Sequence, residues 1–264
     1  MTKTAPVIGS VAICLALFAQ GCSVKPEVQA VNPASVPERI ETIIGLSVEQ
    51  RPIKAHVFGH GETTALFLGS IHGSEPAGAV LCDQLITRLE PKHYRGRHVV
   101  VVPRGNPDGL LANRRTNMRG VDLNRNFPAD NYRSTETHGG RPLSEPERQA
   151  LHKLVLQCRP IVVVSIHQPL ALVDYDGPTE TLAARLGKLV NLPVRRLGGM
   201  PGSMGSWVGN DLGIPIITLE LPRHVSRWDG ESLWDAYGPA MLVLISEAAK
   251  SLQAENAHSD TLIR

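Results

Sequence analysis

Hydrophobic positions along the chain fall into short β-branched runs separated by longer stretches of helical period. The runs are "TTALFLG" (63–69), "HVVVVP" (98–103), "PIVVVSI" (160–166) and "IPIITLEL" (214–221). Between and after them come "PAGAVLCDQLITRL" (76–89), "SEPERQALHKLVLQC" (144–158), "PTETLAARLGKLVN" (178–191) and "LWDAYGPAMLVLISEAAKSLQ" (233–253). Runs that are apolar at successive positions belong to strands buried on both faces, and amphipathic stretches between them supply the cover. The pattern predicts a single α/β domain over 39–253: a mixed, mostly parallel sheet with helices on both faces. Ser144 followed by Glu147 reads as a capping box opening the helix at 144.

The ends of the chain differ in kind. Lys3 precedes the almost uncharged run Val7 to Ala19, which is too short to span a bilayer, and "AQGC" follows. Residues 1–21 therefore read as a signal peptide, and "LFAQGC" resembles a bacterial lipobox with Cys22 as the lipidated residue. Ser23 after the cysteine implies sorting to the outer membrane, with the folded body facing the periplasm on acyl chains. A plain signal peptide cut near Gly21, giving a soluble periplasmic or secreted protein, is the other reading of the same residues. Residues 22–38 are Pro-rich with little apolar pattern and read as a tether, and 254–264 as a polar tail.

Composition narrows the function classes. The 264 residues are 42% hydrophobic and 20% charged, with net charge +2 and no run of five like charges, which excludes a nucleic-acid footprint. Of four cysteines, Cys14 would leave with the signal and Cys22 would carry lipid, so only Cys82 and Cys158 remain in the domain; they make no disulfide framework and read as two buried free thiols, with a bridge between them left open. Oligomeric state is left open.

In open α/β sheets ligands bind beyond the carboxyl ends of the strands, so polar residues there can converge. His72 and Glu75 follow the first run, "RGNPDG" (104–109) the second, His167 the third, and Glu220 closes the fourth. Two imidazoles and one carboxylate form the ligand set of a catalytic Zn²⁺ that keeps a position for water. Glu220 is then free to act as base, and Arg115 to face a developing oxyanion.

With "HGSE", "NPDG", "RTNMRGVDLNRNFP", "SIHQPL", "GSMGSW" and "TLELP" in this order, the chain resembles the M14 metallocarboxypeptidases, close to their murein peptide amidase branch. The resemblance spans roughly Leu66 to Arg223 and implies an eight-stranded sheet. It implies one Zn²⁺ on His72, Glu75 and His167, with Glu220 as general base and then the acid that protonates the leaving amine. Arg115 would polarise the scissile carbonyl, Asn124 and Arg125 would clamp a substrate carboxylate, and Asp122 would orient His72 from behind. The substrate implied is the bond between the γ-carboxyl of D-glutamate and meso-diaminopimelate in murein peptides. The loop 195–207 lacks the tyrosine of the family's digestive members, in agreement with the amidase branch.

Several positions keep two readings. Arg114 and Arg119 compete with Arg115 for the scissile carbonyl. Asp174 and Asp176 in "LVDYDGP" either recognise a substrate amine or form a turn before Pro178. Trp207 reads as packing. A zinc deacylase of the aspartoacylase and succinylglutamate desuccinylase type, and a murein-binding lipoprotein without chemistry, are the alternative functions.

Overall fold

The computed structural model describes residues 39–94 and 97–262; the expected signal, Cys22 and the tether lie outside them. Seven strands form one sheet: β1 (Arg39–Leu46), β2 (Pro52–Gly59), β3 (Glu62–Gly69), β4 (Arg97–Val102), β5 (Val162–His167), β6 (Leu170–Asp176) and β7 (Ile216–Pro222). Their order is β1-β2-β4-β3-β5-β7-β6. The four central strands are parallel, and β2, β1 and β6 add antiparallel flanks. The sheet is mixed as expected, with seven strands among the described residues rather than eight.

Parallelism is confined to the four runs that the sequence marks as continuously apolar. Residues 65–69 of β3 and all of β5 are buried at every position, as strands covered on both faces must be. Successive side chains point to opposite faces, so Phe67 joins one core and Leu66 and Leu68 the other.

Among the described residues six α-helices supply the cover: α1 (Ala77–Arg88), α2 (Pro91–Tyr94), α3 (Pro107–Leu111), α4 (Pro146–Cys158), α5 (Glu180–Val190) and α6 (Gly230–Leu262). Leu81 and Leu85 of α1, Leu186 of α5 and Met241 and Leu244 of α6 fill the first core; Leu151 and Leu154 of α4, with Phe127 and Trp207, fill the second. Helix α6 runs through the stretch expected as a polar tail. Cys82 and Cys158 are unbridged thiols, Cys82 fully buried in α1.

The expected capping box does not form. Helix α4 begins at Pro146, which suits the first helical position, so Glu145 occupies the cap without a side-chain bond to the helix. Glu147 accepts hydrogen bonds from Val48 N (3.0 Å) and Asn117 Nδ2 (3.2 Å) instead.

Arg148, one position further, is fully buried. Its guanidinium lies over the Phe127 ring at 3.9 Å, Phe127 stacks on Trp207 at 5.2 Å, and Trp207 meets His152 at 4.7 Å. This column joins α4 to the two segments that wall the site. None of the three guanidinium nitrogens has a hydrogen-bond partner among the described residues, and burial pushes Arg148 down to about 9.

Candidate active site

The turn after β3 carries His72 and Glu75 and is pressed against α3. A Cβ on Gly73 would lie 1.9 Å from the carbonyl carbon of Gly109, so a side chain there cannot be accommodated. Asn106 holds α3 in place, its Oδ1 accepting from Gly109 N at 2.9 Å. "HGSE" and "NPDG" are therefore two halves of one close backbone contact. On the far side, His167 ends β5 and sits opposite Glu220 of β7 in the parallel register.

His72, Glu75 and His167 are all buried, and one ligand atom from each lies within 4.8 Å of the others. Glu75 Oε1 is 2.8 Å from His72 Nδ1, Glu75 Oε2 is 2.9 Å from His167 Nδ1, and the two Nδ1 atoms are 3.1 Å apart. His72 Nε2 donates to Asp122 Oδ1 at 3.0 Å, and His167 Nε2 lies 3.0 Å from Ser165 Oγ. Each ring is thus engaged at Nε2; the Asp122 carboxylate keeps the His72 proton there and leaves its Nδ1 a lone pair, and His167 Nδ1 has one too when its Nε2 donates to the Ser165 hydroxyl.

Lone pairs that close repel unless a cation stands among them. Two nitrogens each about 2.0–2.1 Å from a zinc ion at a tetrahedral angle would be about 3.4 Å apart, close to the spacing found. The donor set, its geometry and the tautomer that Asp122 fixes on His72 fit Zn²⁺. Without a cation, protons take up the strain: burial opposes it, but Asp122 and Glu75 raise His72 above the ordinary imidazole range. Burial also works against ionised Glu75, yet His167 and His72 hold it well below the usual carboxylate range. Asp122 is held down likewise by His72, Arg115 and Arg125.

Of the three rival arginines, Arg115 enters the site. Its Nε donates to Asp122 Oδ2 at 3.0 Å and its Nη1 to Glu75 Oε1 at 3.3 Å. Arg114 turns to Thr116, and Arg119 to Glu145 at 3.6 Å.

A cavity of about 300 Å³ opens beside the triad, lined also by Arg115, Asn124, Arg125, Asp174, Asp176 and Glu220. Asn124 and Arg125 lie on a 3-10 turn whose N-cap is Asp122, so one carboxylate anchors both His72 and the turn. Asn124 Oδ1 accepts from Met204 N at 2.9 Å, tying the turn to the π-helical segment Gly205–Asp211.

Asp174 and Asp176 occupy alternate positions of β6, not a turn, and both are buried. Asp174 Oδ1 accepts from Leu197 N at 2.8 Å, while Asp176 Oδ1 has no hydrogen-bond partner among the described residues. Burial raises both carboxyls above their ordinary range, and the charge of Asp176 adds to the shift of Asp174. Gly205 makes room for this pair: a Cβ there would stand 2.2 Å from Asp176 Oδ2. Burial likewise raises Glu220, helped by the charge of Glu75.

Sequence reasoning passed over Gln168. Its backbone N donates to Glu75 Oε2 at 3.2 Å, and its side chain bridges Ala77 N and the Pro222 carbonyl, clamping α1 to β7 around the triad. Its place directly after His167 in "SIHQP" was the available signal.

A buried His–Glu–His group at the rim of a parallel sheet, with a glutamate outside the group on the adjacent strand, defines a metallopeptidase-type hydrolase. Residues 31–181 match the zinc carboxypeptidase family, and the chain belongs to it. Within that family it is 38% identical over 177 residues to murein peptide amidase A of Escherichia coli K12, covering 60% of this chain and 71% of that protein. The structure of the murein-tripeptide amidase from Escherichia coli O157 matches with a TM-score of 0.66 at 32% identity, over 78% of this chain and 91% of that one. Carboxypeptidase A from Helicoverpa armigera, 16% identical, shares the fold with a TM-score of 0.67, over 81% of this chain and 69% of that one.

Proposed function

We propose that this enzyme hydrolyses the amide joining the γ-carboxyl of D-glutamate to meso-diaminopimelate in murein peptides, with zinc held by His72, Glu75 and His167. The observation that carries the reading is that one cavity is lined at once by these residues, by Glu220, by Arg115 and Arg125, and by the buried carboxylates Asp174 and Asp176. Diaminopimelate has a carboxylate beside the scissile nitrogen and an ammonium with a second carboxylate at its far end. Asn124 and the planar fork of Arg125 receive the first carboxylate. Asp174 and Asp176 receive the ammonium, whose charge offsets the cost of keeping two carboxylates in a buried place.

When bound, zinc acts as a Lewis acid and lowers the pKa of a water toward about 7. Glu220 accepts the proton of the attacking water as the new C–O bond forms, and Arg115 donates hydrogen bonds to the developing oxyanion. The C–N bond breaks as Glu220 returns the proton to the leaving amine, which gives free diaminopimelate and a γ-carboxylate. Asp122 holds the proton of His72 on Nε2 throughout.

Incubating the zinc-loaded protein with L-Ala-γ-D-Glu-meso-diaminopimelate should release diaminopimelate, and Glu220→Gln should abolish most of that release. Absence of release, or release that the substitution leaves unchanged, rejects the reading; faster turnover of N-acyl amino acids favours the deacylase class. We also propose that Cys22 carries the lipid that anchors the enzyme at the periplasmic face of the outer membrane. Metabolic labelling with palmitate, lost in Cys22→Ser, tests that anchor.

A further inference from the structure

A second cavity, of about 240 Å³, adjoins the first. Ser74, Arg223 and Ser226 line it, and it shares Glu75, Arg115, Gln168 and Pro169 with the cavity already described. The two clefts therefore meet along a seam that contains one of the three ligating side chains and Arg115. An amide seated on that seam with its leaving amine toward Arg125 and Asp176 must send its acyl part into the second cleft.

The chemistry of that cleft differs from the first. Two guanidinium groups and two hydroxyls line it, and its one carboxylate, Glu75, is turned toward the histidines. Arg115 is already engaged with Asp122 and Glu75. Arg223 follows Glu220 by three residues, at the start of the 3-10 helix Arg223–Arg227, and is exposed. Its carbonyl accepts from Ser226 Oγ at 2.8 Å, but its guanidinium pairs with no carboxylate among the described residues. An uncommitted guanidinium beside the Ser74 hydroxyl, at the acyl side of a hydrolytic seam, is suited to an anionic group of the substrate.

We infer that Arg223, with Ser74 beside it, binds a free carboxylate on the residue that donates the scissile carbonyl, and so selects acidic acyl groups. The inference rests on the function proposed above. A glutamyl residue linked through its γ-carboxyl keeps its α-carboxyl free, a short alkyl chain from the scissile carbonyl. A residue with a neutral side chain, linked through its α-carboxyl, offers no charge there. Recognition of the leaving residue in one cleft and of the acyl residue's charge in the other explains how a small site can read both sides of one amide.

The test compares L-Ala-γ-D-Glu-meso-diaminopimelate with the analogue whose glutamyl α-carboxylate is a carboxamide, using zinc-loaded wild type and Arg223→Gln. Amidation should lower wild-type kcat/KM by roughly 10- to 30-fold, mainly through KM, as expected for losing a charge-assisted hydrogen bond on a group exposed until substrate covers it. Arg223→Gln should lose a similar factor on the free acid and treat the two substrates alike within about twofold. Equal turnover of both substrates by wild type overturns the carboxylate site, and discrimination retained in Arg223→Gln overturns the role of Arg223. Turnover of neither tripeptide by wild type overturns the proposed function, and this inference with it.

Discussion

Asp122→Asn changes one atom of a carboxylate that three donors share. Oδ1 accepts from His72 Nε2 at 3.0 Å and from Asn124 N at 2.9 Å, and Oδ2 accepts from Arg115 Nε at 3.0 Å. The amide of asparagine has one acceptor oxygen and one donating nitrogen. With the nitrogen at the Oδ2 position it meets the Arg115 N–H donor to donor. With the nitrogen at the Oδ1 position it meets both His72 Nε2 and the Asn124 N–H. The second arrangement is relieved at His72 only if that ring moves its proton to Nδ1, the atom that faces Glu75 and His167.

Either orientation removes at least one hydrogen bond to a charged group, worth about 1.5–3 kcal/mol. A loss of that size is about 10- to 100-fold in a binding constant, the range expected when the outer partner of a metal-ligating histidine is removed. The zinc dissociation constant of Asp122→Asn should therefore rise by about 10- to 100-fold over wild type. Competition titration against a chelator at fixed neutral pH measures it, and far-UV circular dichroism of both apo-proteins checks that the fold is retained. Zinc affinity equal to wild type in a folded Asp122→Asn protein would refute the claim that the carboxylate charge of Asp122 supports zinc binding through His72.

Three further outcomes follow from other parts of the structure. Glu220→Gln should retain stoichiometric zinc, because Glu220 lies outside the triad, while kcat falls by about 10²- to 10⁴-fold in a steady-state assay of diaminopimelate release. Gly205→Ala should raise KM for the diaminopimelate tripeptide by about tenfold or more without weakening zinc binding, since the new methyl must displace Asp176; an unchanged KM would show that Asp176 does not contact the substrate. Arg148→Met should raise the melting temperature. The drop of Arg148 to about 9 represents roughly 5 kcal/mol against the buried charge, of which the contact with Phe127 returns about 2, leaving a net gain of about 1–4 kcal/mol and about 3–10 °C by calorimetry. The penalty is fully present below about pH 9 and shrinks as the pH rises above it, so the gap between variant and wild type should narrow in that direction; a lower melting temperature for Arg148→Met refutes the account.

What could be read from the chain follows from which parts of the fold are encoded locally. The four central strands are buried on both faces, so each announces itself as an unbroken apolar run, and the residue ending such a run stands at the rim. That is why the pattern alone puts His72, Glu75, His167 and Glu220 at the ends of central strands, where the structure has them. The flanking strands carry a weaker signature. Nearly all of β1 is exposed, and β2 alternates exposed Lys54 with buried Ala55, so neither makes a continuous run. Strand β6 was masked by its last residues, because "DYDGP" has the composition of a turn. Read with a period of two, the same stretch places Asp174 and Asp176 on one face, which is how both come to line the cavity.

Direction was the other missing quantity. Arg114, Arg115 and Arg119 lie in a segment of turns with no period, and only the hydrogen bonds to Thr116 and Asp122 and the ion pair with Glu145 separate them. Arg223 has the same difficulty in sharper form. Its distance from Glu220 in "ELPR" places it at the rim as surely as any other residue there. Which of two adjoining clefts its side chain serves depends on how the 3-10 turn after β7 comes to line one cavity with Ser74, almost 150 positions away. Strand ends are written in adjacent letters, whereas the partition of a rim into separate clefts arises only when distant turns meet. For that reason the residues at the rim of such a sheet are accessible from sequence, and their division between two clefts requires the folded chain.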